Sequence, residues 1–238
     1  MTPIYSIPGF SEPFSSLSHL IAAAVFAIIG GYLLYRERNN APRFISLSIF
    51  VFSCVLLLTV SGVFHSLQQD GLSREIFRRI DHAAIFIFIA GTFTPIHGLL
   101  FEGWRRWGIL LMVWGLAVLC LSLKMIFFQE MARWLGLTLY LGMGWMGAIS
   151  AYLLYQRYGT RFLKYLFFGA FAYTAGALID YFQFPRVVPG VIGPHEVFHV
   201  SVLFGMGFHW FLMHQLTQAH RTELNASSLL APVRLSKC

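Results

Sequence analysis

In the stretch GPHEVFH, His195 and His199 stand four residues apart, a spacing that puts both imidazoles on one face of a helix. Far upstream, SGVFH sets Ser61 and His65 at the same spacing, and Asp81 follows in RIDHAA. Three imidazoles suit Zn2+, which takes His nitrogens at about 2.0–2.1 Å and keeps a fourth position open in catalytic sites. A carboxylate such as Asp81 can then hold or deprotonate a zinc-activated water, and Ser61 can donate a further hydrogen bond. An HxxxH pair alone is a weak signal, because a wet helix end carries such pairs without any metal. Whether these five residues make one site depends on the elements that carry them.

Those elements are membrane spans. Of 238 residues, 57% are hydrophobic and only 11% charged, and the mean hydropathy is +0.67. A soluble domain would carry roughly 25% charge, so this chain could not cover its surface with polar groups in water. Seven apolar runs fall at roughly 17–35, 45–64, 80–100, 107–123, 135–155, 165–182 and 197–216. Backbone groups in lipid must be satisfied internally, and the runs are too long and too unalternating for barrel strands. The fold expected is all-α, with seven transmembrane helices in one bundle. Residues 1–16 should form an N-terminal interfacial segment, and 217–238 a polar, unstructured tail. Residues 1–16 also lack any Lys or Arg, so they do not read as a secretory leader.

Seven alternating spans bring the end of span two and the starts of spans three and seven to the same membrane face. Ser61, His65, Asp81, His195 and His199 therefore share one depth, where polar groups default to function. Pro194, just before the HxxxH pair, suits a helix's first turn. Glu12 and His19 flank the first span at this face and either line the site or fix the N-terminal segment. Asp180 ends span six there, as a site residue or as a solvated helix end. His82 points about 100° from Asp81 and reads as a packing or supporting group. His97 lies near the far end of span three, and His209 is ten residues, about 15 Å, beyond His199, so both read as structural. His214 and His220 belong to the far interface.

Several other classes of function find no support. The net charge of +7 sits mostly in short loops, as juxtamembrane charge does, and not as a nucleic-acid patch. Cys54, Cys120 and Cys238 form no paired framework and no CxxC. The segment GMGWMG matches GxGxxG literally, but it lies in an apolar helix with no preceding strand, so it is no dinucleotide fingerprint. Its glycines, like Ala175-Gly176-Ala177, are expected to let helices approach closely. In GTFTP, Pro95 should kink span three, with Thr92 or Thr94 re-satisfying the freed carbonyl. Of the 17 Lys and Arg, six fall on the N-terminal face and eleven on the C-terminal face, which favours a cytoplasmic C-terminus.

Taken together, SxxxH (Ser61, His65), RxxDHAAIFIFIAGTFTP from Arg78 (with Asp81) and HxxxH (His195, His199) resemble the signature of the hemolysin III and progestin/adipoQ receptor family. EPFSSLSH (Glu12, Ser15, His19) is similar to that family's N-terminal motif, except that Ser15 stands where members usually have asparagine. The resemblance covers roughly residues 12–216, and the small size resembles the bacterial branch, which implies a multi-pass protein of the bacterial inner membrane. It also implies zinc held by His65, His195 and His199, with Asp81 and Ser61 near the metal-bound water. The family belongs to a wider group proposed to be zinc-dependent hydrolases, alkaline ceramidases among them. Its eukaryotic receptors are associated with lipid amide hydrolysis. Its bacterial members carry a hemolysin label and are linked to membrane lipid homeostasis. In the receptors the N-terminus and zinc are cytoplasmic, opposite to the charge count.

Two readings follow. One is a zinc amidohydrolase acting on a membrane lipid such as a ceramide, with Asp81 as general base and Ser61 orienting or stabilising the intermediate. The other is a non-enzymatic sensor or receptor, or a pore-forming cytolysin, in which zinc only clamps spans two and seven together. Polar groups crowd one face instead of lining several spans end to end, which disfavours a wide pore.

Overall fold

The structure, a computed structural model, describes residues 5–230. Residues 1–4 and 231–238, the outer parts of the expected N-terminal segment and polar tail, lie outside the described residues. Eight helices follow one another: α1 (Pro13–Glu37), α2 (Ala41–Ser66), α3 (Leu72–Leu100), α4 (Trp104–Ile126), α5 (Arg133–Trp145), α6 (Gly147–Tyr158), α7 (Leu163–Phe182) and α8 (Pro194–Leu230). Helices α5 and α6, separated only by Met146, make one span, so the protein has seven helical segments long and apolar enough to cross a membrane. Among the described residues there are isolated bridges but no β-strand.

Helix α3 is the most enclosed of these segments and packs against α2, α4, α5, α6 and α8. Helix α1 lies on α2 and α8, and α7 on α8, α5 and α6. A core of Leu47, Phe50, Leu58, Ala84, Phe88 and Met206 joins α2, α3 and α8. A second core of Phe86, Phe93, Val113 and Met143 joins α3, α4 and α5. The outer helices turn large apolar side chains outward, among them Ile21 and Ile28 on α1, Leu111 and Val118 on α4, and Phe167 and Phe171 on α7. Lipid is the solvent in which such faces cost nothing.

Glycine sets the approach of α2 to α3. A Cβ on Gly98 would come 2.7 Å from Ser46 Oγ, and one on Gly91 would meet Ser53 still closer. Gly176 does the same for α7 against Ser201 of α8, as expected, but Gly142 and Gly144 of GMGWMG face open space and bring no helices together. The two threonines beside Pro95 also depart from expectation. Thr92 donates to the Ile89 carbonyl at 2.6 Å and Thr94 to that of Ala90 at 3.1 Å, so neither serves Gly91, whose carbonyl loses its helical partner at Pro95.

Both chain ends differ from the expected boundaries. Helix α1 starts at Pro13, not at residue 17, because Ser15 and Ser16 are buried polar residues with partners inside the protein. Ser16 Oγ donates to the Gly62 carbonyl at 2.7 Å and Ser15 Oγ to Glu196 Oε1 at 3.0 Å. Helix α8 runs on beyond residue 216, where an unstructured tail was expected. Arg221 pairs with the buried Glu37 of α1, and Glu223 with Arg157 of α6 at 2.8 Å, so tertiary ion pairs sustain a stretch that hydropathy alone would release.

Candidate metal centre

His65 ends α2, and α8 begins at Pro194, one residue before His195. Proline fits a helix's first position, where no intrahelical N–H partner is lost. At the third helical position Glu196 reaches back, its Oε2 accepting from the Gly193 N–H at 2.9 Å, while its other oxygen holds Ser15. The start of α8 is thereby fixed in place, and it presents His195 and His199 on one face.

The three imidazoles meet through their Nε2 atoms. His195 Nε2 lies 3.1 Å from His199 Nε2 and 3.4 Å from His65 Nε2, and the three ligand atoms all fall within 4.8 Å of one another. Tetrahedral zinc with nitrogens at about 2.05 Å would separate those nitrogens by about 3.3 Å. Lone pairs so close repel unless a shared proton or a cation lies between them. The residues present therefore fit a zinc ion, and the donor set of three neutral imidazoles is one that zinc favours.

What lies behind the imidazoles decides their tautomers. His195 Nδ1–H donates to Asp180 Oδ1 at 2.9 Å, and His65 Nδ1–H to Glu12 Oε2. With those protons on Nδ1, each Nε2 turns a lone pair inward. Arg74 donates to Glu12 Oε1 and to the Leu67 carbonyl at 2.7 Å, so Glu12 is held from both sides. Burial pushes the Glu12 carboxyl up, but the hydrogen bond from His65 and the positive charge of Arg74 bring it down. The group titrates below the ordinary glutamate range. The backbone closes the same contact, with the Glu12 N–H donating to the His65 carbonyl at 3.0 Å and the Ser11 N–H to that of Ser66 at 3.3 Å. His65 and His199 are each 2% exposed, and the His195 side chain 41%, so the cluster opens outward at His195.

Of the residues expected from sequence, the three histidines converge. Ser61 sits buried one turn before His65, and Asp81 is buried on α3. Among the described residues neither side chain makes a protein hydrogen bond. Asp81 meets His82 Nδ1 at 3.8 Å, and no ion pair or hydrogen bond joins it to the three imidazoles. The carboxylates that hydrogen-bond the cluster are Glu12 and Asp180. His19 stacks on His199 with ring centroids 4.0 Å apart, and both its nitrogens are buried without a protein partner. Glu196 was missed altogether, although its place three residues after Gly193, at the start of an apolar run, is a capping signal. His82 bonds the Arg78 carbonyl and packs edge-on against Phe128. His97 bridges the Arg105 carbonyl and Ser150 Oγ, each at 2.8 Å, as a structural residue should. His220 lies at the opposite end of the bundle, accepting from Arg43 Nε at 3.3 Å.

Comparison with known proteins identifies the family. A family model described as haemolysin-III related matches residues 10–210. The chain is 31% identical over 191 residues to a "Hemolysin-3 homolog" of Bacillus subtilis (strain 168), covering 80% of this chain and 84% of that protein. It is 25% identical over 199 residues to a "Hemolysin-3" of Bacillus cereus, covering 83% of this chain and 87% of that protein. The matched region contains the whole histidine cluster together with Glu12 and Asp180.

Proposed function

The chain is a multi-pass bacterial membrane protein that belongs to the haemolysin-III related family, and from its histidine cluster we propose that it is a zinc-dependent hydrolase of membrane lipid amides of the ceramide type, serving lipid homeostasis. The observation that supports this reading is the convergence of three imidazoles, with His195 Nε2 3.1 Å from His199 Nε2 and 3.4 Å from His65 Nε2, and with His195 and His65 aimed by carboxylates on Nδ1. His65, His195 and His199 hold the metal. Zinc in that position supplies Lewis acidity and a nucleophile at neutral pH.

The remaining work falls to the chain. Asp81 has a carboxylate with no protein hydrogen bond and accepts the proton of the attacking water. As the C–N bond breaks, it returns that proton to the leaving amine. The Ser61 hydroxyl, one turn from His65, donates to the carbonyl oxygen as negative charge develops there. Glu12 and Asp180 hold the imidazoles in their tautomers and do not exchange protons with substrate. The apolar chain of the lipid lies between spans.

One observation favours a second reading, in which the metal only joins α2 to α8 in a sensor or receptor: among the described residues, no hydrogen bond or ion pair links Asp81 to the imidazoles. The test is metal analysis of the purified protein together with cleavage of a panel of lipid amides. Near-stoichiometric zinc, with turnover lost in Asp81→Ala and His195→Ala, supports the hydrolase. Stoichiometric zinc with no turnover on the panel leaves the structural clamp.

A further inference from the structure

The end of the bundle opposite the histidine cluster holds a cavity of about 690 Å³, walled by Leu99, Leu100 and Leu153 and rimmed by Arg105, Arg106 and Arg157. From its charges and its depth we propose that it is a binding site for the phosphodiester headgroup of an anionic membrane phospholipid. The proposal is independent of what the histidine cluster does.

Helix α4 begins at Trp104 with no acidic residue in its first turn and no side-chain cap. The positive end of the helix dipole favours an anion, yet the first turn there carries two arginines. Phosphate in the cavity turns three mutually repelling features into three donors.

The guanidiniums are also prepared for a ligand. Arg106 Nε donates to the Phe101 carbonyl at 2.6 Å, and Arg157 donates to the Leu100 carbonyl and, at 2.8 Å, to Glu223 Oε2. Each is thereby anchored, and each keeps N–H groups to spare out of five. Among the described residues, Arg105 makes no side-chain hydrogen bond or ion pair at all. Planar guanidinium forks are the groups best matched to phosphate oxygens.

Charge and position narrow the ligand class. Three arginines against Glu102 and Glu223 leave a single net positive charge, which matches a phosphodiester better than a multiply charged phosphate. Glu102 is free to accept from a headgroup hydroxyl, as in a glycerol headgroup, and a quaternary ammonium offers no such donor. Trp104 and Trp107, 82% and 62% exposed, flank Arg105 and Arg106 in the first turn of α4, as aromatic residues do at the headgroup level of a bilayer. Basic pockets between spans at that depth are where lipid headgroups lodge.

The test uses the full-length protein purified in detergent, with native mass spectrometry counting retained lipid across titrations of phosphatidylglycerol, phosphatidylcholine and inorganic phosphate. The expected result is one tightly held phosphatidylglycerol, and apparent affinity about tenfold weaker in Arg105→Gln, which loses a charge-assisted donor without breaking a protein hydrogen bond or ion pair among the described residues. Arg38→Gln, at the same interface but outside the cavity, leaves binding unchanged. Equal retention of phosphatidylcholine would overturn the headgroup assignment. Inorganic phosphate binding as tightly as the lipid would replace the lipid with a soluble anion. Undiminished phosphatidylglycerol binding in Arg105→Gln, with the thermal unfolding midpoint intact, would remove the cavity from consideration.

Discussion

Asp180 Oδ1 and His195 Nδ1 lie 2.9 Å apart, joining the last turn of α7 to the first turn of α8. The carboxylate fixes which nitrogen carries the proton and so leaves His195 Nε2 free to bind a metal. Asp180→Ala is expected to lower zinc affinity by about 10–100-fold, as losses behind a metal ligand commonly do. His195→Ala should abolish binding. Competition with a zinc-responsive chelator measures both.

Asp81 and the imidazoles make separate contributions in the proposed chemistry, so their variants should separate as well. Asp81→Asn is expected to keep full metal content while lipid-amide turnover falls by at least about 10²-fold, the scale of a lost general base. Elemental analysis and a product assay on the same preparation read the two quantities. Turnover that survives in Asp81→Asn would take the base role away from this residue.

Glu12 ties the N-terminal segment to the site, and its folded-state pKa is lower than that of an unfolded glutamate, about 4.3. A depressed carboxyl pKa stabilises the fold fully above the unfolded value, and this contribution is lost as pH falls through the lower folded value. Thermal unfolding in detergent should therefore decline on acidification below about pH 4.3. In Glu12→Gln the midpoint should be lower at neutral pH and show a shallower acid dependence.

At the far end of the bundle, Glu37 is 2% exposed and accepts from Arg43 Nη1 at 3.2 Å and from Arg221 of α8. Glu37→Ala leaves two guanidiniums without their counter-charge, a change costing about 3–5 kcal/mol when a buried pair is broken. The unfolding midpoint should drop well below that of Glu223→Ala, whose partner Arg157 is more exposed. Limited proteolysis should then cut α8 beyond residue 217, where the ion pairs no longer hold it.

The histidine set was legible because its residues are conspicuous where they stand. Ionisable groups at the ends of apolar runs cost energy in lipid, and counting spans assigns them a face. His65, His195 and His199 were found by that argument and by the family's motifs. Asp180 and Glu12 were visible as charges at the same face, but their roles stayed open, since a solvated helix end and a hydrogen-bonded carboxylate look alike in sequence. Ser15 and Ser16 misled the helix boundary because hydropathy reads a hydroxyl as wet even when Glu196 and the Gly62 carbonyl receive it.

By itself the sequence determined seven spans, an all-helical bundle and the membrane face that carries the imidazoles, because burial in lipid is imposed residue by residue and leaves a local pattern. Only the tertiary structure decided that Glu12 and Asp180, and not Asp81, touch those imidazoles, that His19 stacks on His199, and that α8 continues to Leu230. Those contacts depend on how each helix is rotated and tilted against its neighbours. That is set by packing such as Gly98 against Ser46, across distances in sequence that no periodicity records.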